Sequence, residues 1–281
     1  MKKTGFIGAG KVACSVGKYL TENGIPVSGY YDLDSDNADE AATFTDSRAY
    51  MDGSQLISDS DIIFISTPDD KILPVWEHIK TMDIRDKYIG MFSGSLSSKL
   101  FSGVGSAGAH GFSLHPMYAF SDRFTDYRDF HTAKLTLEGD EHACRVITDI
   151  FAGLGHDIYV IDSEKKYRYH AAASIASNLM IGLYDLSLDM LTDCGLKPDQ
   201  AVDILAPLVK KNTLAMLNTS PAEALTGPIE RGDVETVEHH LSVMSGREAA
   251  IYIPLAQRLI DIAEKKNPDR NYDPMRSVVN K

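Results

Sequence analysis

The stretch Phe6-Ile7-Gly8-Ala9-Gly10-Lys11-Val12-Ala13 decides the fold. It follows a short apolar run and opens a helical pattern, and it has the form Gly-x-Gly-x-x-Ala. Gly8 permits the tight turn, Gly10 lets the backbone approach a pyrophosphate, and Ala13 lets helix and strand pack closely. Backbone amides from Gly8 through Ala9, Gly10, Lys11 and Val12 are then able to grip phosphate at the mouth of a helix. A glycine-rich turn with no ligand is the alternative. The position of the loop, in the first turn of a βαβ unit with an acidic residue about 20 positions on, weighs against it.

That acidic residue is Asp32, in Tyr30-Tyr31-Asp32-Leu33-Asp34. A carboxylate at the end of the second strand accepts both hydroxyls of an adenosine ribose and repels a 2′-phosphate. Asp34 and Asp36 add to the repulsion, and no Arg or Lys lies between Leu33 and Asn37. These residues favour NADH over NADPH. The alternative is that Asp32 starts a turn and Asp34 caps a helix.

Working outward, the pattern predicts strands over 4–7, 27–31, 61–66, 88–92, 109–114, 134–137 and 157–161, and helices over 12–22, 72–82 and 142–154. Such alternation implies a largely parallel sheet covered on both faces, with ligands at the carboxyl ends of the strands. After Asp162 the strand signals stop. One long helix is predicted over 167–194, closed by Gly195 with Pro198 beyond it. Further helices fit 198–211, 215–217, 234–245 and 247–265. The expected architecture is α/β: an N-terminal Rossmann dinucleotide-binding domain over 1–162 and a C-terminal all-helical substrate and dimerisation domain over 163–281.

Composition narrows the function. The 281 residues are 43% hydrophobic and 24% charged, enough for a core in each domain. A net charge of -12 disfavours nucleic acid and anionic membranes as partners, because both need basic surface. No apolar run approaches the roughly 18–20 residues that span a bilayer. The first apolar stretch breaks at glycines and Lys11 too early for a signal peptide, so a cytoplasmic protein is expected. Cys14, Cys144 and Cys194 are far apart and show no metal-ligand spacing. Reduced thiols and no metal are expected.

Several strand ends carry candidate chemistry. Thr67 and Pro68, in Ser66-Thr67-Pro68-Asp69-Asp70, are expected to border the ribose on the nicotinamide side, or else Thr67 caps the next helix with Pro68 at its first position. Ser93 and Gly94, after the next strand, leave room for a nicotinamide ring. His115, in Ser113-Leu114-His115-Pro116, can donate a proton or hydrogen bond to a substrate oxygen, or serve the structure only. On the long helix Lys166, His170, Ser174 and Asn178 recur every fourth residue. They form a polar strip suited to an oxygen that gains negative charge, unless Lys166 is a solvated helix start and Asn178 a satisfied buried amide. Arg231, in Leu225-Thr226-Gly227-Pro228-Ile229-Glu230-Arg231-Gly232-Asp233, can grip a carboxylate substrate through two parallel bonds or pair with Asp233 to brace its loop.

Taken together, FIGAGKVA at 6–13, STPDD at 66–70, FSGSLSS at 92–98, SLHPMYAF at 113–120, ASNLMIGL at 176–183 and LTGPIERGD at 225–233 resemble one family. These are the Rossmann-like proteins with a C-terminal DUF2520 domain, related to pyrroline-5-carboxylate reductase and 6-phosphogluconate-dehydrogenase-like enzymes. Some members are alternative ketopantoate reductases, which reduce 2-dehydropantoate to pantoate with NADPH for pantothenate synthesis. The resemblance implies a role for His115, Asn178, Thr226, Gly227 and Arg231 around the substrate cleft, and dimers built from the helical domain. Members often carry Ser-Arg at the end of the second strand, where this chain has Asp32 and no arginine. Ketopantoate reductases have Asn four residues after the lysine, where this chain has His170 after Lys166. The expected activity is reduction of a small 2-oxo acid with NAD(P)H. A cyclic-imine reductase and a regulatory protein that binds NAD(P) without turnover are the competing expectations.

Overall fold

The computed structural model describes residues 1–280. The chain forms two compact units, Met1–Ala176 and Ser177–Lys281. In the first unit the order is β1 (Thr4–Ile7), α1 (Lys11–Glu22), β2 (Val27–Tyr31), α2 (Ser35–Thr45), β3 (Arg48–Ala49), α3 (Gly53–Asp59), β4 (Ile62–Ile65), α4 (Asp69–Ile79), β5 (Tyr88–Met91), β6 (His110–Met117), β7 (Lys134–Gly139), α5 (Glu141–Gly153), β8 (Ile158–Val160) and α6 (Lys166–Ser174). The strands form one sheet in the order β3-β2-β1-β4-β5-β6-β7-β8. Every neighbouring pair is parallel except β6 with β7.

Burial explains the sequence texture. Ile62-Ile63-Phe64-Ile65 and Tyr88-Ile89-Gly90-Met91 are buried along their whole length, as central strands covered on both faces must be. One face packs Phe6, Tyr30, Phe64 and Phe112 against α1, α2 and α5. The other packs Ile7, Ile63, Ile65 and Ile89 against Trp76 of α4 and Phe101. Chain order reverses between β1 and β4. A crevice therefore opens at their carboxyl ends, the place where sheets of this kind bind ligands.

β6 outruns β5, which pairs with it only as far as Ser113, while β7 follows it to Met117. The overhang has one free edge, and that is why Pro116, which has no N–H to donate, is tolerated within a strand. His115 sits on this overhang opposite Thr136.

The second unit contains α7 (Met180–Asp193), α8 (Pro198–Asn218), α9 (Pro221–Ala224), α10 (Pro228–Arg231), α11 (Val234–Val243), α12 (Gly246–Lys266) and α13 (Asp273–Val279). Its core gathers Ile229, Val237, Ile260, Met275 and Val279 from α10 to α13. By contrast, α7 buries no residue and α8 buries only Ala201.

Three expectations are corrected. The boundary at 162/163 falls later, because Lys166 drives its side chain into the sheet and draws α6 into the first unit. The single helix over 167–194 is interrupted by a π-helical turn at Ile175–Leu179, whose wider winding shifts the residues after it around the axis. Finally, the helical stretch Ser163–Asp193 is long and apolar enough by length and composition to cross a membrane, with a mean hydropathy of 1.2 in its best window. Counting uninterrupted runs missed this, because Ser174, Ser177, Asn178 and Asp185 break the run without lowering the average much.

Candidate active site

The crevice begins at Gly8. Its φ of +101° lies where side chains are strained, and a Cβ there would lie 2.6 Å from the Ser66 carbonyl oxygen. The Gly8 N–H donates to Tyr31 O at 2.8 Å, tying the loop to β2. Gly10 caps α1 with no side-chain cap bond, and no acidic residue stands in the first turn of that helix. A Cβ on Gly10 would meet nothing within 4 Å. Open space therefore faces helical N–H groups that no side chain satisfies, the arrangement found where helix N-termini hold anions. Val12 packs toward the core behind the loop, and Ala13 is fully buried.

A cavity of about 620 Å³ runs along this edge, lined by Gly8, Ala9, Gly10 and Lys11 of the loop, by Asp32, and by Thr67 and Pro68 of the β4–α4 turn. Asp32 Oδ2 accepts the Ala9 N–H at 2.7 Å, and Oδ1 accepts the Asp34 N–H at 3.0 Å. Each carboxylate oxygen keeps capacity for another donor, so a ribose hydroxyl still fits. Asp34 caps α2 by accepting the Asp36 N–H. The turn-and-cap reading of this segment is thus the one observed. Thr67 does not cap α4: that helix starts at Asp69, and Thr67 Oγ1 is buried with no partner among the described residues. The Gly8 turn, the uncapped helix mouth and the orphaned Thr67 hydroxyl fit a dinucleotide.

A second cluster sits at the ends of β5 and β6. The Ser93 hydroxyl donates to Asp69 Oδ2 at 2.9 Å and accepts the N–H groups of Ser95 and Leu96. Ser93 therefore holds the turn to the start of α4. Gly94 is boxed in, since a Cβ there would lie 2.7 Å from His170 Nδ1 and 2.8 Å from His115 Nε2. His170 Nδ1 is buried without a partner among the described residues. Two imidazole nitrogens thus converge on one small residue.

Tyr169, which sequence reasoning passed over, is the side-chain partner of His115. Its hydroxyl accepts from Thr136 Oγ1 at 3.0 Å and lies 2.8 Å from His115 Nδ1. Thr136 Oγ1 also lies 3.3 Å from His115 O and has one proton to give; when it gives that proton to Tyr169, the phenol proton goes to Nδ1 and the imidazole proton sits on Nε2. Burial, then the nearby Lys166 and His170, push the His115 pKa down to about 4. The ring is neutral at physiological pH and its Nε2 faces Gly94. A neutral imidazole with its proton on Nε2 is able to donate a hydrogen bond there.

Lys166 is 2% exposed. Its Nζ donates to Ser93 O and to Ser113 Oγ, each at 2.7 Å, clamping α6 to the ends of β5 and β6. Burial lowers its pKa to about 8, opposed by Glu138 and Asp69. The unfolded chain therefore holds the extra proton between that value and the ordinary 10.5. Stability is penalised below pH 8 and recovers as pH rises through this window, by about 3 kcal/mol in all. Denaturant titrations should show wild-type stability gaining on Lys166→Met between pH 8 and 10.5. A constant difference across that window would contradict the assignment.

The remaining expected residues divide between the units. Ser174 ends α6, half-buried. Asn178 lies inside the π turn, exposed and out of step with the four-residue strip. Thr226, Gly227 and Arg231 lie in the second unit. Gly227 caps α10 with a φ of +101°. Arg231 is 60% exposed and 3.9 Å from Asp233, a loose pair, while Asp233 caps α11.

The first unit has the Rossmann dinucleotide-binding fold, and the second unit is helical. Residues 133–259 match the family described as Domain of unknown function (DUF2520). A Thermotoga maritima protein of known structure is 26% identical, with a TM-score of 0.76 over 94% of this chain and 99% of that one. A Bacteroides fragilis protein described as a proposed NADP oxidoreductase is 21% identical, with a TM-score of 0.68 over 95% and 98%. A pyrroline-5-carboxylate reductase of Coxiella burnetii is 16% identical, with a TM-score of 0.58 over 99% and 96%. No curated protein matches the sequence.

Proposed function

We propose that this protein is a nicotinamide-dinucleotide-dependent oxidoreductase that reduces a small 2-oxo acid, with 2-dehydropantoate to pantoate the first candidate reaction. The observation that carries the reading is the junction of two features in one unit. The glycine loop and Asp32 line one cavity with Thr67 and Pro68, and the turn at Gly94, where His115 and His170 converge, is tied to Asp69 just beyond Pro68 by the Ser93 hydroxyl. The dinucleotide, when bound, supplies the hydride. The chain's own residues do the rest. His115 Nε2–H holds the substrate oxygen as it gains charge, and His170, whose Nδ1 has no other partner, supplies the proton. Lys166 keeps the strand ends in place.

Reduction of a cyclic imine is the second reading, favoured by the fold shared with pyrroline-5-carboxylate reductases and an imine reductase from Pseudomonas sp.. An absorbance assay at the nicotinamide band, run with 2-dehydropantoate and with pyrroline-5-carboxylate, separates the two. Turnover of the oxo acid supports the first reading, and turnover of the imine alone overturns it.

A homodimer through the helical unit is also proposed. Ile181 is 64% exposed on α7, and Ile204 and Leu208 are 55% and 56% exposed on α8. A surface this apolar marks an interface, and a second copy carries the matching faces. Sedimentation should give a dimer for the wild type and a monomer for Ile181→Glu. A monomeric wild type at micromolar concentration would remove this proposal.

A further inference from the structure

The absence of Arg or Lys between Leu33 and Asn37 argues from sequence against a 2′-phosphate, but the fold delivers a cation to that place from far away. Arg123, in the segment between β6 and β7, lines the same cavity as Asp32, Leu33 and Asn37. Its Nη1 donates to Asn37 Oδ1 at 3.1 Å and Glu40 Oε2 at 2.8 Å, and its Nη2 donates to Asn37 O at 3.1 Å. Asn37 is in the first turn of α2, just beyond the turn that carries Asp32. The guanidinium side chain is 19% exposed, whereas its carboxylate partner Glu40 is 59% exposed.

We propose that Arg123 receives the 2′-phosphate of the adenosine ribose, so that NADPH is accepted alongside NADH. This rests on the dinucleotide reading of the glycine loop. An arginine beside the end of the second strand is the usual host for that phosphate, and a guanidinium binds phosphate through two parallel bonds. Glu40 holds the same group only through a solvent-exposed pair, which a dianion can displace. The acidic neighbours oppose this less than their number suggests. Both oxygens of Asp32 already accept backbone N–H groups, and Asp34 turns its carboxylate onto its own helix. Lys11 on the cavity wall adds a second positive charge. Arg123 thus sets the NADPH arm of the specificity and Asp32 the NADH arm.

The test is the ratio of dissociation constants, NADPH over NADH, read from the fluorescence of the bound reduced nicotinamide. Arg123→Ala should raise the ratio about tenfold or more, the worth of a charge-assisted bidentate contact. Glu40→Gln, a surface change that leaves the core untouched, should lower the ratio severalfold by freeing the guanidinium. The proposal is overturned if neither variant moves the ratio, or if Glu40→Gln raises it. Failure of the wild type to bind either dinucleotide would overturn the dinucleotide reading itself, and this assignment with it.

Discussion

Gly8→Ala is expected to reduce dinucleotide affinity about a hundredfold or more while leaving the fold intact. Two costs coincide at this residue. Its φ of +101° is one that side chains rarely adopt, at a strain of about 1–3 kcal/mol. The new Cβ would also meet the Ser66 carbonyl oxygen at 2.6 Å and its carbon at 2.8 Å. Both are backbone atoms that no rotamer change can move. The loop must shift away from β4, and the helical N–H groups then no longer converge on one point. Calorimetric titration of folded Gly8→Ala with NADH checks this. Affinity within a few-fold of the wild type would mean that the loop does not hold phosphate.

Replacing His115 by Phe should lower kcat/KM for a 2-oxo acid about a hundredfold or more, the usual worth of a positioned donor to a developing oxyanion. Because His115 titrates near pH 4, it contributes no activity limb between pH 6 and 8. Tyr169→Phe should reproduce part of the loss, since it removes the hydroxyl that pairs with Nδ1 and orients the ring. Imine reduction is the control. An iminium already carries its charge, so the same substitution should hardly change that rate. Steady-state kinetics of His115→Phe with both substrates would decide, and equal losses on both would remove the imidazole from carbonyl activation.

The sheet was largely legible because its strands announce themselves locally. The runs expected at 4–7 and 27–31 coincide with β1 and β2, and the buried apolar cores of β4 and β5 differ only at their ends. Strand β3 escaped notice because two residues, Arg48 and Ala49, carry no periodicity. Short helices such as α9 and α10 were hidden for the same reason. The glycine loop and Asp32 could be found because their spacing along the chain is their geometry. Arg123, by contrast, meets Asn37 across 86 residues, and Tyr169 meets His115 across 54. No local pattern encodes such pairs. Lys166 was visible as a polar residue at four-residue spacing, but only packing reveals that its ammonium is buried against Ser93 and Ser113. The π turn at Ile175–Leu179 likewise broke a periodicity that the sequence alone presents as regular.

The most direct test is a calorimetric titration of the wild-type chain with NADH and NADPH, with no substrate present. One saturable site per chain, with a dissociation constant in the roughly micromolar range usual for such ligands, is the predicted result. No heat of binding from either dinucleotide at millimolar concentration would contradict it, and the loop at Gly8 and Gly10 would then be a turn and nothing more.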